Sequence, residues 1–532
     1  MASRKTILVF AVIGMVSFII FMGFLIYSFK YEKEGDLFRK PAISKKEAVR
    51  LAEKFINPFG LRAKNYPRRI LEYNSRNQDA LYLVKKYGDK QARSLIDKEK
   101  IPYAYWSINW GGVREESVSV DIDTQDGRVI GYEYSYYPSL EEKINNLKEA
   151  EAKKVAEDFL LSEKIDLWGK FELVNINKNT RNIQEEYYFK WAKKDLKLGE
   201  AGYIVNLAIK ADKIAGFSQS LQLPKDYKYE YENNLFLSKF WAMLSSGISL
   251  LLGIILVVLA IIKRKVLNWR LARLWAIVLG PVFLINFLNE QSTYPFYIDT
   301  IYKFIGALFY SFNMFLLIPV TEQLFKENFK KNIFIKLNKR NNIFSSLIVC
   351  YALTFFSLVL VSITYHLLNH FKIAWNVGVG HVSNAIFTSR VIYLSPLMIG
   401  IIPAFTEEFF RGFSMAFCKK IFRSTAISIV IAAFLWGFGH TVIDGSFYPG
   451  YIVGLEKFIS GIIVGYILLY FGIETAILWH FLNNFFATDI FLSYLGSNFM
   501  IYAACLSFIV ILPFFISLYL YFKKPSISLG QA

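Results

Sequence analysis

Cysteine is nearly absent from this chain of 532 residues: Cys350, Cys418 and Cys505 all lie in or beside apolar runs. The charged stretch 29–238 has none, which excludes a disulfide framework there. Acidic residues are in deficit too, 43 against 61 Lys and Arg, for a formal charge of +18. Such a surplus raises nucleic acid as a partner, but no groove-reading motif accompanies it and no nucleic-acid role is expected. Two further absences matter. No His-Glu-x-x-His places two metal ligands within one helical turn, and the membrane half shows no inverted repeat of the kind transporters carry.

What is present in quantity is apolar surface, with 54% hydrophobic and 17% aromatic residues. Several stretches of about twenty residues are nearly free of charge, the length that crosses about 30 Å of hydrocarbon. The expected fold class is a polytopic α-helical membrane protein of about ten spans with an extracytoplasmic α+β domain pair. Arg4 and Lys5 precede an apolar run without a small-x-small exit, so residues 1–28 are expected to be an uncleaved signal-anchor helix. The other spans are expected near 239–262, 272–290, 299–321, 343–368, 391–417, 424–443, 456–471, 474–489 and 495–521. Those after 456 are short enough to be half-helices. Basic residues gather at Lys263-Arg264-Lys265, Lys326–Arg340, Lys419–Arg423 and Lys523-Lys524. Loops near 291–298, 369–390 and 444–455 are poor in them. Positive-inside logic then predicts both termini in the cytoplasm and 29–238 outside a cell (plasma) membrane.

Residues 29–238 carry an internal repeat. Glu47-Ala48, Ala52-Glu53 and Phe55 recur as Glu151-Ala152, Ala156-Glu157 and Phe159. Each copy predicts an amphipathic helix followed by aromatic strands, Tyr103–Trp110 and Tyr187–Trp191. Strand-turn-strand patterns close them: Val118–Asp123 and Val129–Tyr134 about Asp126-Gly127, then Tyr203–Lys210 and Ile214–Ser218. The expected divisions are repeat 1 at 29–140, repeat 2 at 141–238, preceding membrane helices at 239–340, a core at 341–522 and a cytoplasmic tail at 523–532.

The chemistry concentrates in Pro403-Ala-Phe-Thr-Glu-Glu-Phe-Phe-Arg-Gly412. Each charge in mid-membrane costs on the order of 2.5–3.5 kcal/mol, so such residues face partners or a polar cavity. Glu407 and Arg411, four apart, are expected to pair. Trp436-Gly-Phe-Gly-His440 and His480-Phe-Leu-Asn-Asn484 supply imidazoles and amides, with His480 and Asn484 on one helix face. A carboxylate beside an imidazole suits water activation. An imidazole and an amide N–H suit an oxyanion. Glu407, His440 and His480 also make three ligands with an open fourth position, the arrangement of a catalytic Zn2+. His366 and His370, at i and i+4 near a span end, are expected to be interface residues. Glu290, Glu322 and Glu456 sit at span ends, and Gly461 with Gly465 suggests close helix packing.

Those three motifs in that order resemble the CAAX-protease and bacteriocin-processing family of intramembrane endopeptidases, over roughly 340–520. The resemblance implies a helix bundle around an internal cavity. It implies that a glutamate, Glu407 or Glu408, and His440 activate water, while His480 and Asn484 hold the oxyanion and Arg411 orients the carboxylate. The family is often labelled a metalloprotease; water activation without a tight metal is the expectation here. Its substrate would be a membrane-associated protein or peptide met in the lipid bilayer. This chain departs from the family pattern in two places. Only Phe409 and Phe410 separate the glutamates from Arg411 where the family has three residues, which leaves open which glutamate faces the water. Trp436 replaces a favoured Phe. Two rivals follow: a non-proteolytic scaffold or peptide-immunity protein, and a proton-coupled transporter. The helix-plus-hairpin repeats resemble PepSY-like modules. Neither substrate nor oligomeric state is legible.

Overall fold

The computed structural model describes residues 3–31, 40–66, 68–111, 116–136, 145–163, 170–181, 184–194, 196, 198–290, 296–334, 340–376, 381–442 and 447–523. Residues 291–295 of the expected loop near 291–298 and residues 524–532 of the tail lie outside them.

After a first helix, α1 (Arg4–Tyr31), comes α2 (Lys45–Ile56), whose N-cap Ser44 accepts from the Glu47 amide at 3.2 Å. Next are β1 (Arg68–Ser75), α3 (Asn77–Tyr87), α4 (Asp89–Glu99), β2 (Ala104–Gly111), β3 (Ser117–Asp123) and β4 (Val129–Ser135). The second copy has α5 (Glu149–Ser162), β5 (Phe171–Arg181), β6 (Gln184–Lys193), β7 (Gly202–Lys210) and β8 (Lys213–Gln222). All eight strands form one antiparallel sheet in the order β1-β2-β3-β4-β8-β7-β6-β5. Each repeat is thus a four-stranded meander, and the two join through their last strands, Tyr132 opposite Phe217. The helices α2 and α5 share one packing layer, Phe55 lying 6.2 Å from Phe159 and Phe59 stacked 5.5 Å from Tyr132. The Asp-Gly turn forms as expected: Gly127 takes φ 74°, and the Asp123 carboxylate accepts from the Gln125 amide at 2.8 Å.

β8 runs directly into α6 (Lys225–Ile262), a helix of 38 residues. There follow α7 (Trp269–Asn289), α8 (Phe296–Phe329), α9 (Arg340–His370), a short β9 (Trp375–Asn376), α10 (His381–Thr388), α11 (Ser395–Phe422) and α12 (Thr425–Gly439). A two-residue β10 (Phe447–Tyr448) pairs with β9 and leads to α13 (Gly450–Phe471), α14 (Ile473–Ser493) and α15 (Ser497–Phe522). Helices stand at all ten expected places, and among the described residues seven are long and apolar enough to cross a membrane: α1, α6, α7, α8, α9, α13 and α15. α12 has only 15 residues, while α11 and α14 carry the charged and polar groups that single out the site. α13 and α14, of 22 and 21 residues, are whole helices and not half-helices.

The far ends of these helices meet one another. Lys263 pairs with Glu327 at 2.7 Å, and the Ile473 amide donates to the Ile333 carbonyl at 2.9 Å. α6 begins at the sheet and ends here, so these basic segments gather at the end opposite the sheet. Within the bundle α11 is central, packed by α8, α12 and α14, with Glu408, Phe409, Arg411 and Phe413 all buried.

Candidate active site

α11 starts with Pro396 in its first turn, where the missing N–H costs nothing, and ends at Arg423 with φ 57°. Its middle places Glu407 and Glu408 about 100° apart around the axis, and the two carboxylates meet different environments. The Glu408 side chain is fully buried, whereas that of Glu407 is 32% exposed. Glu407 lines a cavity of about 570 Å³ between α6, α8, α11 and α12, with His440, Arg411 and Thr406.

Arg411 does not pair with Glu407 as expected. Its Nε donates to Glu408 Oε2 at 2.9 Å and its Nη2 to Glu408 Oε1 at 3.1 Å. Positions i+3 and i+4 both lie on the face of a helix, so the shortened spacing still delivers a fork to a carboxylate. His480 of α14 adds a third contact, Nδ1 to Glu408 Oε1 at 2.9 Å. Two ions taken out of water carry a desolvation penalty of several kcal/mol each, which the forked geometry and the imidazole offset. The guanidinium also lies over the Trp436 ring at 4.4 Å. Gly461 of α13 leaves room for it, because a Cβ there would meet Arg411 Nη1 at 3.1 Å.

Glu407 has other company. The Trp436 indole N–H donates to its Oε2 at 2.5 Å. His440 Nε2 and His480 Nε2 stand 3.9 Å and 3.8 Å from the same oxygen. His440 Nδ1 lies 2.7 Å from the Trp436 carbonyl, which only accepts, so Nδ1 carries the proton and Nε2 presents a lone pair. By the same argument the Glu408 carboxylate fixes the proton of His480 on Nδ1. Glu407 Oε2 and two imidazole nitrogens without a proton are therefore gathered in one place, with Glu407 and His440 on the cavity wall.

Asn484, one turn beyond His480, sits where α14 comes closest to α11, its Cβ 3.2 Å from the Cβ position of Gly400. Asn483 is occupied structurally, accepting from Ser357 at 2.8 Å and donating to the Trp479 carbonyl at 2.8 Å. His366 and His370 are exposed at the end of α9. Gly465 packs against Ile429 and Gly461 against Ala433, the close helix contact expected of them. Atoms sharing a tetrahedral zinc at 2.0–2.1 Å lie about 3.4 Å apart. The 3.8 Å and 3.9 Å separations are wider, and among the described residues no group of three His, Cys, Asp or Glu takes metal-ligand geometry. Glu407, His440 and His480 do not fit a zinc as they stand.

Sequence reasoning missed two things. The sequence shows Trp436 only as one aromatic in place of another, yet its N–H holds the exposed carboxylate. The cavity wall from α6 and α8, including Ser245, Ser249 and Asn313, was outside the region of resemblance. Its one signal was the Ser-Ser-Gly-Ile-Ser run at 245–249 in an otherwise apolar helix.

α11, α12 and α14 thus gather a buried carboxylate–guanidinium–imidazole triad beside a second carboxylate and imidazole. Residues 388–486 match the family described as type II CAAX prenyl endopeptidase Rce1-like, a segment that holds all three motifs. Residues 94–220 match a family described as YcdB, YcdC repeated domain, which straddles both meanders. No curated protein and no solved structure matches the chain. The first similarity supports, in general terms, an intramembrane protease of the CAAX type.

Proposed function

We propose that the chain is an intramembrane endopeptidase in which Glu407 and His440 activate water. The observation that carries this is the division of labour between adjacent carboxylates: Glu408 is consumed by Arg411 and His480, and Glu407 faces the cavity with His440, the His480 Nε2 lying 3.8 Å from its Oε2. Water held there gives a proton to Glu407 as its oxygen attacks the substrate carbonyl. Asn484, one turn beyond His480 on the same helix face, donates its side-chain N–H to the oxyanion, with the His480 imidazole beside it. The proton on Glu407 then passes to the leaving amine and the C–N bond breaks. No step in this scheme uses a metal. The sheet is placed outside a plasma membrane and the basic helix ends in the cytoplasm, following the distribution of Lys and Arg.

The test is cleavage of a quenched peptide library by the purified full chain. Glu407→Gln and His440→Ala should each lower turnover by about 10²–10⁴-fold, the range for a lost general base. Turnover should survive removal of divalent metal by a chelator. Full activity in Glu407→Gln sinks the proposal and favours the scaffold, whose buried triad would then be purely structural.

A further inference from the structure

β1 and β5 are the two edges of the sheet. β1 borders a second cavity of about 480 Å³, walled by Leu71 and Glu72, by Asn289 and Glu290 after α7, by Asn384 of α10 and by Ile402 of α11. The ladder decides which backbone groups point into it. The Tyr73 N–H donates to Asn384 Oδ1 at 3.0 Å, so it is turned away from β2. In an antiparallel pair this alternates residue by residue. The unbroken register Tyr73–Trp106, Leu71–Ile108, Arg69–Trp110 therefore turns the N–H and C=O of Leu71 and Arg69 outward as well. Asn384 caps the Tyr73 amide; among the described residues nothing caps those of Leu71 and Arg69.

This cavity neighbours the one at the candidate active site. Tyr310 of α8 lines both. Along α11 the lining passes from Met398, Ile402 and Pro403 in one to Thr406 and Glu407 in the other. Pro403 to Glu407 is about one helical turn, some 6 Å, a rise that two extended residues cover.

We propose that the stretch of the β1 edge at Leu71 and Arg69, beside the part that α10 covers, is the docking strand for an extended segment of the polypeptide substrate. The segment pairs with the Leu71 and Arg69 backbone, and its continuing chain descends past Tyr310 to Glu407. The occupant is a peptide in strand conformation because what the edge offers is alternating backbone donors and acceptors, and because the cavity it borders neighbours the one that holds Glu407. Recognition by main-chain hydrogen bonds is tolerant of side chains. The route rests on the endopeptidase reading; the docking does not.

The test separates the two. A benzophenone amino acid is placed at Glu72 in the full-length chain carrying Glu407→Gln, and the chain is illuminated with a pool of unstructured peptides of about twelve residues. The same pool N-methylated at alternate residues serves as control, since methylation blocks strand pairing. We expect labelling by the plain pool, and loss of about tenfold for the methylated pool, the effect of one or two backbone hydrogen bonds. Arg69→Pro removes an outward N–H on an exposed residue without touching the β1–β2 ladder, and should weaken labelling similarly. Equal labelling by both pools, or none, overturns the docking strand. Selective labelling in a chain that cleaves nothing when Glu407 is intact refutes the endopeptidase reading and leaves the docking strand standing.

Discussion

Trp436 reaches four polar side chains at once. Its N–H holds Glu407, its carbonyl fixes the His440 proton, and its ring lies against Arg411 and His480. Removing the N–H alone tests that arrangement. Trp436→Phe, which restores the residue the family favours, should lower kcat by about tenfold or more with KM little changed, because a hydrogen bond to a charged group contributes roughly 1.5–3 kcal/mol. An unchanged kcat would reduce the indole to packing. Arg411 is the counterpart on the buried side. Arg411→Ala leaves Glu408 charged and unpaired, and should destabilise the fold by about 3–5 kcal/mol. Adding Glu408→Gln should recover part of that loss, measured as a double-mutant cycle of unfolding in detergent. Additive effects would show that the pair is not coupled. The motifs placed these residues in one site from sequence alone. Spacing could not say which glutamate Arg411 takes, since both helical neighbours are in reach; His480 arriving from α14 settles it by claiming Glu408.

Glycine sets how closely the elements behind the site approach. A Cβ at Gly437 would lie 2.3 Å from the Phe458 backbone nitrogen, and one at Gly454 would lie 2.3 Å from Thr441. These contacts press α12 onto α13 and hold Trp436 and His440 at their level. Gly437→Ala must push the helices apart, so it should cost roughly 1–3 kcal/mol and reduce turnover as well. Activity retained at full stability would contradict that packing. In the sheet domain, burial raises the Asp79 carboxyl above its ordinary value, partly opposed by the Leu221 amide that donates to it at 3.1 Å. Asp121 and Asp123 are shifted upward for the same reason. The folded domain thus holds protons that the unfolded chain has released. The contribution of these three carboxyls to stability is greatest below the ordinary carboxylate range and falls as pH rises through it towards the raised values, then levels. Asp79→Asn should flatten that fall, seen as a smaller difference in hydrogen exchange at β8 between pH 4 and neutral pH. The repeat helices and hairpins were legible because alternation and Asp-Gly turns are local. The joining of both meanders through β4 and β8 was not, since edge pairing leaves no local pattern. Nor was α3–α4, an insertion in the first copy alone.

At the scale of the molecule the question is what holds the sheet over the bundle. Part of the answer is Lys85 on α3. Its ammonium pairs with Glu230 of α6 at 2.7 Å and lies 4.4 Å over the Trp375 ring, with Tyr448 and Tyr227 at 5.6 and 5.8 Å. A cation seated among three aromatic rings and a carboxylate joins the sheet domain to α6 and to the short β9–β10 ladder. Each cation–π contact contributes about 0.5–1 kcal/mol where water reaches it. On the other flank, Lys45 donates to the Ser389 carbonyl at 2.6 Å, and Asn384 caps Tyr73. These contacts fix the β1 edge above the cavity that neighbours the one lined by Glu407. None was legible in the sequence, for each joins residues far apart in the chain through side chains common on any surface. If the sheet serves the site by position, loosening it should harm long substrates and spare short ones. Lys85→Ala should therefore raise KM for extended peptides by about threefold to tenfold, a loss of roughly 1 kcal/mol, and leave cleavage of peptides too short to reach β1 unchanged. Equal loss on both lengths would mean that the clamp supports the bundle itself. No loss on either would mean that the sheet and the membrane site work independently.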